Sequence, residues 1–244
     1  EYDIKKDKLI EKLDAPSDKM KKDKKFTGFN NTLLTEIIKR SLIDIRLFGS
    51  AMAVEGVSRT FTGPIQLSWG YSLHPVELVK SNSITTIMND DSSTFGKKYK
   101  VYYSLVAHYG TINKFSAQKT KMTEKDRDIF RKAIVQSLMA NQTDSKQGQE
   151  PFLYLEIKYK EGFDGYLGDL RRFIDVSYDE KKSIRSIDDL TVDFSSLKDT
   201  IDEMKDMGYI KKVVGWKHPF VKEGKINKLP EYEETDLWAE IKSE

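Results

Sequence analysis

Leu34, Ile37, Ile38 and Leu42 recur at helical spacing and lay one apolar face along the chain, which predicts a helix from Thr32 with Asn31 as its N-cap. Residues 44–61 read as irregular or strand-like, and Pro64 permits only the entry or edge of a strand. Residues 65–73 alternate as a strand and present the polar residues Gln66, Ser68 and Tyr71. Residues 81–94 are polar and rich in turn formers at their far end, so they predict a projecting hairpin or loop. Residues 98–109 alternate again, with Tyr99, Val101, Tyr103, Leu105 and Ala107 on one side and Lys100, Tyr102, Ser104, Val106 and His108 on the other. A helix follows Thr123, with acids in its first turn and a stripe of Ile129, Phe130, Ala133, Ile134 and Leu138. Residues 152–159 predict a strand. Ser196 is positioned to cap a helix over 197–207 that Gly208 stops, and residues 209–216 predict a last strand. Residues 217–244, with Pro219, Pro230 and an acidic cluster, read as a surface strap that Trp238 pins to the core or to a neighbour. Half-exposed strands interspersed with helices point to an α+β fold with an antiparallel sheet.

The chain has 244 residues, enough to bury a real core, and its 33% charged residues suit a soluble protein. It contains no cysteine, which removes disulfide frameworks, thiolate nucleophiles and cysteine-bound zinc. His74, His108 and His218 are scattered without metal-ligand spacing, and no apolar run approaches the roughly 20 residues of a membrane span. A cytoplasmic setting is the simplest expectation. The net charge of +2 hides an uneven distribution. Residues 58–121 hold eight Lys or Arg against three acids, while residues 160–206 hold eight against thirteen. One half suits phosphate and the other suits neighbouring proteins, although chance clustering on solvated faces gives the same count. Residues 1–25 carry nine Lys and seven acids, the composition of a charged arm or exposed insertion over residues 1–30.

The strongest motif is Asp44-x-Arg46-x-Phe48-Gly49. In an extended segment these side chains share one face. Asp44 then orients the Arg46 guanidinium toward a phosphate, Phe48 offers a stacking face, and Gly49 lets a backbone approach. A buried Asp–Arg pair with Phe48 in the core accounts for the same residues. Arg59 in the loop beyond is a second phosphate candidate. Gln66 and Ser68 can bond ribose or phosphate without reading sequence, or can simply line an exposed strand. His74 before Pro75 reads as structural. No Walker loop, dinucleotide glycine pattern, Ser/His/Asp order or HExxH is present.

This order of motifs, an apolar helix end, Asp-x-Arg-x-Phe-Gly, a glycine-bearing loop and Thr62-Gly63-Pro64 entering a strand, resembles the backbone subunit of CRISPR Cascade complexes, the "Cas seven" family, in its type I-B, Csh-two-like branch. The resemblance covers roughly residues 31–174, with a vaguer match beyond. The family's opening strand is not evident, and the chain starts at Glu1, so a truncated N-terminus is expected. The resemblance implies a modified ferredoxin-like or RNA-recognition-type domain over residues 31–216, with a thumb near 81–96 and helical insertions. It implies a non-catalytic subunit that polymerises along a guide crRNA and presents it to target DNA, beside copies of itself in a head-to-tail filament and other Cascade subunits, with no cofactor, no metal and no membrane. It makes Arg46 an RNA-facing residue. Ile84, Ile87 and Met88 become the thumb's apolar wedge, able to unstack a base step, and Lys97, Lys98, Lys100 and His108 join the RNA-binding set. The rival is a type III-like RNA endonuclease using Asp90 or Asp91, a pair that is equally a routine turn sequence.

Overall fold

A computed structural model describes residues 24–54, 57–79, 83–89, 92–97 and 99–241, with only the backbone of 24–31, 52–54, 57–59, 83–89 and 92–97. Helices α1 (Lys24–Ser41) and α2 (Ile43–Phe48) lead into a hairpin of β1 (Gly49–Val54) and β2 (Val57–Thr62). Next come β3 (Ile65–Leu67), β4 (Tyr71–Ser72), a second hairpin of β5 (Ser83–Asn89) and β6 (Ser92–Lys97), then β7 (Val106–Ala107) and β8 (Gly110–Ile112). Helices α3 (Lys114–Thr120) and α4 (Glu124–Ala140) precede β9 (Leu153–Tyr159), β10 (Asp175–Tyr178) and β11 (Leu190–Asp193). Helix α5 (Ser195–Asp206), β12 (Ile210–Lys217), β13 (Ile226–Asn227) and β14 (Glu233–Glu234) complete the chain. The protein is α+β, built from small sheets, and it divides into two compact units: residues 1–67 with 110–130, and residues 68–109 with 131–244.

In the first unit, α1 begins well before Thr32, so Asn31 is an interior residue and not a cap. Residues 43–48 are helical and not extended, which removes the shared face assumed for Asp44, Arg46 and Phe48. Gly49, at φ 89°, ends this short helix and returns its N–H to the Ile45 carbonyl. Ile45, Leu47, Pro64 and Ile65 are buried, and β3 pairs antiparallel with β8, Ile65 opposite Ile112. Pro64 stands just ahead of β3, where its missing N–H costs no ladder bond. Thr123 and Asp126 form the expected N-terminal cap of α4, each side chain accepting the other's backbone N–H.

The second unit holds the larger core. Leu197 and Ile201 of α5 are buried with Leu190, Val192, Phe194, Ile210 and Val213, each contributing roughly 2 kcal/mol by leaving water. Ser196 lies inside α5 rather than capping it; the Asp193 side chain accepts the Ser195 N–H instead. Gly208, at φ 77°, stops the helix as expected. Strand β12 runs antiparallel to β9 from Ile210 opposite Tyr159 to Lys217 opposite Leu153. β14 joins its other edge in parallel, and β13 joins β11 in parallel, so the sheets are not purely antiparallel and β12 is not the last strand. From α4, Arg131 forms a bidentate pair with Glu156 of β9, at 2.7 and 2.8 Å, and Glu156 also accepts the Tyr154 hydroxyl. Val135, Trp216 and Leu237 form a smaller cluster, against which the Trp238 ring packs 5.4 Å from that of Trp216.

The two alternating stretches at 65–73 and 98–109 form less strand than their pattern implies. Residues 68–70 break the first, and among the described residues of the second only 106–107 and an isolated bridge at Val101 remain before Gly110. Side chains take over the backbone groups that a continuous ladder would have paired. Buried His74 accepts the Leu105 N–H through Nε2, which leaves Nδ1 to donate to the Pro75 carbonyl, and its ring stacks on Tyr103.

Candidate nucleic-acid interface

The Asp44–Gly49 motif staples elements together. Arg46 donates through Nε and Nη2 to both oxygens of Asp126, at 2.9 and 2.6 Å, and through Nη1 to the carbonyls of Lys39 and Arg40. Four of a guanidinium's five N–H groups are thus committed, and the side chain is 17% exposed. The orienting carboxylate is Asp126, not Asp44, which is exposed. Burial alone pushes the Asp126 carboxyl up, but the Arg46 guanidinium and the Thr123 donors outweigh it and hold it below the ordinary carboxylate range. Neither account of the motif fits as it stands: Arg46 is paired, but with Asp126 rather than Asp44, and Phe48 lies outside the core. Phe48 is 48% exposed and meets Phe130 edge-on at 6.1 Å.

Gly49 and Gly63 face each other across the base of the first hairpin. A Cβ on Gly49 would run into the Phe61 carbonyl and the Gly63 nitrogen; one on Gly63 would run into the backbone of residues 47–49. The close approach that Gly49 permits is therefore made by the chain's own backbone, and Gly63 donates its N–H to the Phe48 carbonyl. Gln66 closes the same neck from β3, its exposed side chain donating to the Gly63 carbonyl at 3.1 Å. Phe48, Gly49 and Gln66 thus converge on Gly63. Arg59 sits on β2 opposite Met52.

The second unit brings Ser68 and His108 together. Ser68 donates its N–H to the Tyr109 carbonyl and its exposed hydroxyl to the Trp69 carbonyl. The His108 ring lies against Gly70, filling the space a Cβ would need. Between them Trp69 is 90% exposed. Behind this break stands Arg171, itself only 9% exposed. It donates to the Trp69 and Ala107 carbonyls at 2.6 and 3.3 Å and to both oxygens of Asp169, and its guanidinium lies 3.9 Å above the Tyr71 ring. Hydrogen bonding to Arg171 holds the Asp169 carboxyl below its ordinary range. Trp69, Arg171 and Asp126 escaped the sequence reading. A tryptophan between Ser and Gly was the one legible signal, while Arg171 follows a Gly-x-x-Gly-Asp run too weak to use alone.

Lys100 is exposed at the end of the second hairpin, where its carbonyl accepts the Val79 N–H. Ile84, Ile87 and Met88 lie on β5, with Ile84 opposite Gly96, Ile87 opposite Ser93 and an irregularity between Ile87 and Asn89; Lys97 lies opposite Ser83. Lys98, Asp90 and Asp91 fall outside the described residues. Among the described residues, no group of three His, Asp or Glu is placed to hold a metal ion, and no helix is long and apolar enough to cross a membrane.

A family model for CRISPR-associated protein Cas7 matches residues 3–195. The chain belongs to the Cas7 family. It is also 26% identical over 187 residues to the CRISPR-associated protein Cas7 of Haloferax volcanii, a match covering 67% of this chain and 54% of that relative. The chain thus spans about half the length of the curated relative it matches. The Cas7 match contains residues 31–174, where the motifs lie, and extends beyond them on both sides. It takes in the glycine neck, both hairpins and the Trp69–Arg171 arrangement.

Proposed function

We propose that this Cas7 chain is a guide-RNA-binding backbone subunit of a type I-B Cascade, which polymerises along crRNA in the cytoplasm and presents it for pairing with target DNA. The observation that carries the reading is the family match over most of the chain. The exposed Gln66 and Ser68 support it, since neutral hydrogen-bonding side chains hold RNA of any sequence by its sugar and phosphate, and the exposed His108 adds a further hydrogen-bonding group. In this reading the core is of the ferredoxin-like or RNA-recognition type over residues 31–216, preceded by a charged arm over 1–30 and followed by a strap over 217–244. The 81–96 hairpin serves as the thumb, with Ile84, Ile87 and Met88 turning a nucleotide out of the stack. Arg59, Lys97, Lys98 and Lys100 face phosphate, and Phe48 lends its exposed face to a base. Arg46 and Gly49 serve the interface by holding the first hairpin in place. The subunit has no catalytic residue, and other copies and other Cascade subunits complete the assembly.

Head-to-tail contacts that do not close on themselves grow along a template, and RNA raises the effective concentration of weakly interacting copies. Light scattering of protein mixed with RNAs of increasing length should show mass rising in steps. A mass that stays at one or two subunits for every RNA length overturns the filament.

A further inference from the structure

A nearly fully exposed tryptophan is costly to leave in water, and the backbone of Trp69 is held by the buried Arg171. Its carbonyl is fixed by Arg171 Nη1 at 2.6 Å, and the Ala107 carbonyl on the neighbouring strand is held by the same nitrogen. Asp169 locks the other edge of the guanidinium, at 2.6 to 3.2 Å, so the fork cannot swing away. Residues 68–70 leave the regular ladder at this point, and Arg171 supplies the hydrogen bonds that the break forfeits. Gly70 completes the arrangement by leaving the His108 ring the space that a Cβ would take. The result is an indole 90% exposed on a hydrogen-bonded backbone, with Ser68 before it in the chain and the His108 imidazole against Gly70 after it. Phe220 is exposed to a similar degree, but it sits on a turn with no such anchor.

We propose that Trp69 is a stacking platform for one nucleobase of the bound single-stranded RNA, and that Arg171 is a positioning residue that acts through the Trp69 backbone. The inference rests on the RNA-binding reading above and adds two residues and a mode of contact to it. A nucleobase fits better than a protein surface. A single indole offers far less area than the roughly 800 Å² per partner of a stable protein interface. Its neighbours Ser68, Gly70 and His108 are polar or bare, and the exposed apolar residues nearest it in the same unit, Tyr71 and Val106, are each only about half exposed, Tyr71 with its ring covered by Arg171. Every base has a π-face, so stacking tolerates any guide sequence.

The experiment uses the full chain and a single-stranded RNA of mixed sequence carrying 4-thiouridine. It compares wild type with Trp69→Phe, Trp69→Leu and Arg171→Lys by RNA affinity, salt dependence and mapped photo-crosslinks. Wild type is expected to crosslink at Trp69. Trp69→Leu should weaken binding by about 5- to 150-fold, the range of one base stack, with an unchanged salt slope because no phosphate contact is lost. Trp69→Phe should recover most of that loss. Arg171→Lys keeps the charge but loses the fork, and should weaken binding with the crosslink at Trp69 reduced. Because Trp69 is solvent-facing, its variants decide the matter even if Arg171→Lys fails to fold. Wild-type affinity in Trp69→Leu overturns this proposal and leaves RNA binding standing. A wild-type chain that binds no RNA overturns the functional reading, and the platform with it. A change in oligomeric mass of Trp69→Leu without RNA assigns the indole to a protein partner and also overturns the platform.

Discussion

Arg46 and Arg171 solve the same problem in the two units, each reading backbone carbonyls with one edge of the guanidinium while a carboxylate fixes the other. Lysine cannot do this, since a single ammonium lacks the planar fork. For Arg46 the consequence is pH-dependent stability. Asp126 is held below its ordinary value of 3.8 in the folded chain, so its ionised form stabilises the fold above that pH, and the contribution is lost as pH falls through the lower folded value. Asp126→Asn should therefore melt at a lower temperature than wild type at neutral pH, with the gap closing in strong acid. Thermal melts followed by circular dichroism across that range check this, and a gap independent of pH refutes it. Removing the partner by Arg46→Ala leaves a buried carboxylate half-satisfied, and should cost about 3 kcal/mol at neutral pH.

Among the elements, the first hairpin depends on two glycines for different reasons. Gly49 takes a positive φ and also touches the opposite backbone, whereas the requirement at Gly63 is purely one of space. Gly162 offers the converse, with positive φ and nothing nearby for a Cβ to strike. Gly63→Ala should therefore destabilise by about 3 kcal/mol, the upper range for overpacking, while Gly162→Ala should cost about 1 kcal/mol from backbone strain. Urea unfolding of the two variants separates the effects; equal losses would mean that the neck can open without penalty. Opening it would also disturb the base of β1 and β2, and with it the placement of Arg59.

For the whole molecule, the proposed function sets the expectations. A backbone subunit has to hold RNA without cutting it. Complementary RNA added to the guide-bound assembly with magnesium should remain intact, as judged on denaturing gels. Regularly spaced fragments that disappear in Asp91→Ala would move the protein to the endonuclease branch. Deleting residues 84–93 should weaken stepwise assembly while leaving the thermal melt of the rest unchanged, since the second hairpin pairs only within itself among the described strands. A deletion variant that assembles normally would remove the thumb from the mechanism.

Periodicity along the chain was enough for the elements that owe their form to local pattern. The helix after Thr123, α5 up to Gly208, the strands β9 and β12, and the turn-rich stretch that becomes the second hairpin all repeat their apolar or turn-forming residues at the spacing their geometry needs. The order of glycine, proline and charged positions around Gly49 and Gly63 also sufficed to recognise the family. Tertiary structure alone decided which residues those motifs serve. Arg46 finds its carboxylate 80 residues away, Arg171 finds the Trp69 carbonyl 102 residues away, and His74 takes the Leu105 N–H 31 residues away. Such bonds fix the end of α1, where Arg46 takes the Lys39 and Arg40 carbonyls, and the break over residues 68–70, where Arg171 takes the Trp69 carbonyl. A hydrogen bond made across the fold has no period in the sequence, and only the packed chain brings its two ends together.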